Sequence, residues 1–128
     1  MPAFSERSKS VLRTVDPELQ RLFNRVVLQF DCTILYPDGG KRTVDRQRQL
    51  VEAELSKTMN SKHLTGRAVD VAPYPIDWND LNRWYAFGGY VRAVAESLGI
   101  NVRWGGDWDM DWCFTDQTFH DLPHWELR

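Results

Sequence analysis

At 128 residues and 15.0 kDa the chain has room for one domain, 1–128, and little more. A hydrophobic share of 42%, with 6 Trp, 6 Phe and 4 Tyr, excludes a disordered chain and suffices for one compact core. A formal charge of −2 and a pI near 5.9 exclude the broad basic surface that nucleic-acid binding requires.

Asp16-Pro17-Glu18 opens a helix, with an Asp cap, Pro at the first helical position and an acid in the first turn. Leu19, Leu22, Phe23, Val26, Val27 and Phe30 follow as its buried stripe. Thr33–Tyr36 is a short β-like run, closed by the turn residues Pro37-Asp38-Gly39-Gly40. From Thr43 to about Leu55 the pattern predicts a mostly exposed helix, anchored by Val44, Leu50, Val51 and Leu55, and residues 56–62 read as loop. Ala68–Ala72 is a strand stopped by Pro73 and Pro75. A long helix is expected from about Asn79 to Leu98, with Leu81, Trp84, Val91, Val94, Ala95 and Leu98 inward and Gly99 as its stop. The Gly88-Gly89 pair inside it marks a kink or a close contact. Ile100, Val102 and Trp104 alternate as a strand, Gly105–Phe119 is a Trp- and Asp-rich loop, and a last strand falls around His124–Leu127. This mixture predicts an α+β fold, with helices packed on a small, largely antiparallel sheet.

Cys32 and Cys113 form no metal-binding or disulfide spacing and are expected to be free, partly buried thiols. No run approaches the roughly 18 apolar residues of a membrane span, and MPAFSERSKS lacks the apolar stretch of a secretory signal. The expectation is a protein made in the cytoplasm without stable membrane insertion.

Charge is unevenly placed. Residues 1–67 carry 12 Lys/Arg against 8 Asp/Glu, whereas residues 68–128 carry 4 against 10. Asp107, Asp109, Asp111, Asp116, Asp121 and Glu126 gather near the end, either as a solvated acidic face or around a cation. Of the three histidines, His63 begins His63-Leu64-Thr65-Gly66-Arg67-Ala68-Val69-Asp70, where the glycine lets the chain turn so that His63 and Asp70 face one point. Asp70 lies in an apolar strand, and an ionised carboxylate there needs a hydrogen bond, an arginine partner or a metal. On the terminal strand His124 and Glu126 share one face and Trp125 takes the other. Two His and one Asp make a three-ligand zinc site with a fourth position left for water. A further carboxylate beside that water would serve as general base.

Ser61-Lys62-His63-Leu64-Thr65-Gly66-Arg67-Ala68-Val69-Asp70 resembles the SxHxxGxAxD signature of the zinc D,D-peptidases and L-alanyl-D-glutamate peptidases that cut peptidoglycan stem peptides. Asp121-x-x-His124 is similar to their second signature, Lys41-Arg42-Thr43 resembles the GxRT element of the phage endolysins among them, and Arg103–Trp108 resembles their RFGxDW-like stretch. The resemblance implies a hedgehog/D,D-peptidase-like fold and makes His63, Asp70 and His124 the ligands of Zn²⁺. It makes Asp121 the general base, where many members carry Glu, and Arg42 the residue that stabilises the oxyanion. Ser61 becomes a substrate contact. Glu126 either hydrogen-bonds a ligand histidine or is exposed, and His120 replaces a ligand, binds substrate or does neither.

The resemblance further implies hydrolysis of the L-alanyl-D-glutamate bond of peptidoglycan stem peptides by a monomer during phage lysis. Access to the wall would wait for a holin to breach the membrane. A D-alanyl-D-alanine carboxypeptidase or dipeptidase is the alternative within the family, and a non-catalytic zinc- or wall-binding module is the alternative outside catalysis. Trp108 and Trp112 are expected at the rim of the groove, with Trp108 touching substrate. Arg21, Arg25, Arg46, Arg48 and Arg67 either attract an anionic wall or are ordinary solvated residues.

Overall fold

The computed structural model describes residues 2–128 and holds four helices around one four-stranded antiparallel sheet. Helix α1, Glu6–Leu12, has no counterpart among the elements read from the sequence. It is short, and its buried face includes Ser8, whose hydroxyl bonds Thr33 Oγ1 at 3.0 Å and accepts from the Ile34 amide at 3.1 Å. A polar docking residue interrupts the apolar period by which such a helix is recognised.

Helix α2, Pro17–Val26, starts as expected, with the Asp16 carboxylate accepting from the Glu18 amide. Leu19, Leu22, Phe23 and Val26 are fully buried, each contributing about 1.5–3 kcal/mol of transfer free energy. The helix stops before Phe30, which reaches the core from the following turn and packs edge-on to Phe87 with ring centres 5.1 Å apart. Strand β1 is Cys32–Ile34 and helix α3 is Val44–Glu52, capped by Thr43. On α3, Leu50 and Gln47 are buried, whereas Val44 and Leu55, expected as anchors, are exposed.

Strand β2, Ala68–Pro73, pairs with β1 on one side and with the terminal strand β4, His124–Leu127, on the other. Strand β3, Val102–Trp104, closes the order β1-β2-β4-β3. Helix α4, Leu81–Leu98, packs against α2 across the back of the sheet and ends at Gly99. Leu81 sits in its first turn and is exposed, not inward, because the helix has not yet reached the core there. Of the glycine pair, Gly88 marks a close contact: it lies against the Trp104 indole, and Trp104 stacks on Trp125 at 5.4 Å and 8°, while Gly89 faces open space. Among the described residues no helix is long and apolar enough to cross a membrane. Both cysteines are free, but only Cys32 is buried; Cys113 lies exposed on the acidic loop. Burial pushes the Cys32 thiol far up.

Candidate active site

Three local devices bring His63, Asp70 and His124 together. Ser61 caps a 3₁₀ turn, Lys62–Thr65, by accepting from the His63 amide at 3.2 Å, and the turn ends at Gly66 with φ of 73°. That left-handed residue reverses the chain into β2, as the tight turn in the sequence predicts. Asp70 and His124 are then direct partners in the antiparallel register of β2 and β4, so their side chains leave the same face of the sheet.

His63 Nε2 and His124 Nδ1 lie 3.3 and 3.4 Å from Asp70 Oδ1. A tetrahedral site with bonds of about 2.0–2.1 Å has edges of about 3.3–3.4 Å, so each of these two separations suits one edge. His63 Nε2 and Asp70 Oδ1 are buried without a hydrogen-bond partner, a costly arrangement unless a cation lies among them. The other ring nitrogens are occupied. His63 Nδ1 is 2.8 Å from the Gly40 carbonyl, to which it donates, leaving Nε2 as the acceptor facing the site. His124 Nε2 donates to Glu126 Oε1 at 2.8 Å, which frees Nδ1 in the same way. Such outer bonds fix the tautomer and aim the ring.

The electrostatics mark the cluster as a place that favours positive charge, a proton on His124 or a cation in its stead. Burial would raise the Asp70 carboxyl, but the two flanking imidazoles hold it well below the usual carboxylate range. Burial would lower His124, but Asp70 and Glu126 hold it up at about 9. Desolvation likewise opposes the Glu126 charge, yet His124 and Arg103 bring that group down to about 2. Arg103 donates to Glu126 Oε2 at 2.8 Å and the Lys62 ammonium lies 3.3 Å from it, so Glu126 is buried, ionised and clamped. Of its two sequence readings, exposure fails and the hydrogen bond to His124 holds.

Asp70 has the arginine partner that the sequence reading allowed for. Its Oδ1 faces the histidines, and its Oδ2 accepts from Arg42 Nη2 at 3.1 Å. Asp121 lines the same groove of about 560 Å³, together with Arg42, Ser61 and Trp108. Burial and the nearby Asp70 charge hold its carboxyl above the usual range. Gly105 governs where Asp121 sits. The Asp121 amide donates to the Gly105 carbonyl at 2.9 Å, and a Cβ on Gly105 would fall 2.2 Å from the Asp121 carbonyl oxygen.

Trp108 forms a wall, its ring centre 5.9 Å from Phe119 and 5.5 Å from His124. Trp112 does not join it. It is exposed on the far side of the loop, under the Arg92 guanidinium at 3.3 Å. His120 is exposed, 3.3 Å from Gln117 Nε2, and outside the ligand group. Asp107, Asp109 and Asp111 form a second group, with one ligand oxygen from each within 4.8 Å of the others. Asp107 is buried against Arg92 at 2.9 Å, while Asp109 and Asp111 are exposed. Desolvation and the neighbouring Asp111 push Asp109 up to about 6. Arg21, Arg46 and Arg48 pair with Glu18, Asp38 and Asp45, which favours the ordinary surface reading for them.

Gln47, Arg103, Lys62 and Gly105 were not among the site residues read from the sequence. Gln47 had a usable signal, since it stands three positions before buried Leu50 and therefore on the same helical face.

The fold and site together define a His-Asp-His group able to hold a metal ion, open on one side to a groove that a carboxylate and an arginine also line. Residues 2–128 match the family model of the phage L-alanyl-D-glutamate peptidases. The chain is 36% identical over 135 aligned positions to the L-alanyl-D-glutamate peptidase of Escherichia phage T5, covering 97% of this chain and 96% of that protein. It is 30% identical over 90 positions to the enzyme of the same name from Listeria phage A118, covering 68% of this chain and 28% of that longer protein. The crystal structure of the L-Ala D-Glu endopeptidase ChiX of Serratia marcescens superposes with a TM-score of 0.78 at 32% identity, over 99% of this chain and 91% of that one. The chain belongs to the phage L-alanyl-D-glutamate peptidase family.

Proposed function

We propose that this protein is a zinc-dependent endopeptidase that hydrolyses the L-alanyl-D-glutamate amide of bacterial peptidoglycan stem peptides. The observation that carries the reading is the convergence of His63 Nε2, Asp70 Oδ1 and His124 Nδ1, two of them orphaned acceptors, on the floor of an open groove. These donors suit zinc, which when bound supplies Lewis acidity to a carbonyl and to water.

Asp121 acts as general base, taking a proton from the attacking water and returning it to the leaving amine of D-glutamate. Its elevated carboxyl suits both halves of that cycle. Arg42 uses three of its five N–H groups on Asp38, Gln47 and Asp70, leaving two for the oxyanion that develops on the scissile carbonyl. The Ser61 oxygen is an acceptor within the turn, so its hydroxyl proton is available to substrate. Trp108 offers an apolar wall to the peptide. In a phage setting the enzyme reaches the wall after a holin opens the inner membrane.

The test is mass spectrometry of fragments released from purified peptidoglycan by zinc-loaded and chelator-stripped protein. Peptides newly beginning at D-glutamate, released only with metal, are expected. Loss of terminal D-alanine alone would move the protein to the carboxypeptidase branch. No release by zinc-loaded protein would leave a wall-binding module.

A further inference from the structure

We infer that Gln47 is a positioning residue that fastens Arg42 and one rim of the groove to a single buried amide. The inference deepens the proposed function, because it rests on Arg42 as the oxyanion donor.

Gln47 is fully buried on α3, a helix whose other residues are mostly solvated. Its Oε1 accepts from Arg42 Nη1 at 3.1 Å, and its Nε2 donates to Ser56 Oγ at 2.8 Å and to the Thr58 carbonyl at 2.7 Å. The orientation of the amide is forced. Arg42 can only donate and the Thr58 carbonyl can only accept, so the oxygen must face the arginine and the nitrogen must face the rim. Both amide protons are thereby used.

On one side this bond completes a three-point hold on the guanidinium, whose Nε donates to the Asp38 carbonyl at 2.8 Å and whose Nη2 reaches Asp70. On the other side it pins the residues flanking Lys57. The Lys57 ammonium lies 4.2 Å over the Phe119 ring, which stacks on Trp108 across the groove. Residues 56–58, Phe119 and Trp108 line the same groove as the metal ligands. Gln47 therefore sets the direction of a transition-state donor and the position of a substrate-facing rim together. These two duties have separate kinetic readouts.

The experiment uses the full-length, zinc-loaded protein with Gln47→Met, Gln47→Glu and Ser56→Ala, assayed on a soluble stem peptide with metal content measured in parallel. Gln47→Met removes both links, so kcat should fall about tenfold or more and KM should rise several-fold at unchanged zinc content. Gln47→Glu keeps an acceptor for Arg42 but sets an oxygen against the Thr58 carbonyl, so KM should rise with kcat within about threefold. Ser56→Ala, a mild change that spares the fold, should raise KM alone.

A second readout is independent of turnover. The Arg42 guanidinium N–H resonances of the substrate-free protein should be individually resolved in the parent and in Gln47→Glu, and rotationally averaged in Gln47→Met. If the parent fails to hydrolyse the peptide while these resonances behave as stated, the functional reading falls and the positioning role stands. Unaveraged Arg42 resonances in folded Gln47→Met, or equal kcat losses in the Met and Glu variants, would overturn the inference. An unchanged KM in both Ser56→Ala and Gln47→Glu would overturn the link to the rim, also in the event that Gln47→Met does not fold.

Discussion

On one side of the groove, β2, β4 and the Lys62–Thr65 turn fix His63, Asp70 and His124 through a strand ladder and a capped turn, with the outer polar atom of each side chain bonded in turn. On the other side, Gly105–Phe119 has backbone bonds at Gly105 and a single bridge at Asp107, and beyond these depends on side chains. Gln117 Oε1 accepts from the Trp108 amide at 2.9 Å, and Gln117 Nε2 reaches the Gly105 and Phe119 carbonyls at 3.2 and 3.1 Å. Asp107 holds the loop to Arg92 and to the Trp112 amide. Backbone pairing gives the sub-ångström placement that metal ligation needs, whereas a side-chain-tied loop suffices to line a groove and tolerates change. Damage to the first side should therefore strike metal and chemistry, and damage to the second should strike affinity.

The largest effect is expected for His63→Ala, Asp70→Ala and His124→Ala. Each should bring bound zinc, read by elemental mass spectrometry after dialysis, to background and abolish hydrolysis; full zinc in any of them would remove that residue from the ligand set. Asp121→Asn should keep its zinc but lose about 10²–10⁴-fold in kcat, since only the proton acceptor is removed. Next comes Glu126→Gln, which loses the anion that orients His124 and should weaken zinc affinity about 10–100-fold in a competition titration with a chelator. Gln117→Ala cuts the ties of the loop wall and should raise KM several-fold with zinc content and kcat near the parent values. A loss of zinc there would erase the distinction between the two sides. The smallest difference is chemical: a thiol reagent should label Cys113 quickly and Cys32 only on unfolding, as peptide mapping would show.

The ligand side was the legible one. A glycine between His63 and Asp70, strand parity at His124, Trp125 and Glu126, and the cap at Asp16 are local rules, and the structure follows each of them. What escaped depends on partners distant in sequence. Helix α1 docks through Ser8 onto β1, and Gln47 is buried because Arg42, Ser56 and Thr58 surround its amide. Trp112 was expected beside Trp108, but positive φ at Met110 (58°) and at Trp112 itself (67°) turns the chain so that neighbouring tryptophans look to opposite sides. No periodicity announces such a turn.

The pairing of Asp70 with His124 has a consequence for how mistakes in folding are exposed. Strand parity ties Trp125, buried against Trp104, to His124 on the opposite face. If β4 slipped by one residue against β2, the indole would turn to water and the imidazole into the core. The same error would cost the protein the buried Trp104–Trp125 stack and the place of His124 beside Asp70. A chain whose last strand is misaligned is thus unstable as well as inert, and the hydrophobic core acts as proofreader for the candidate metal site.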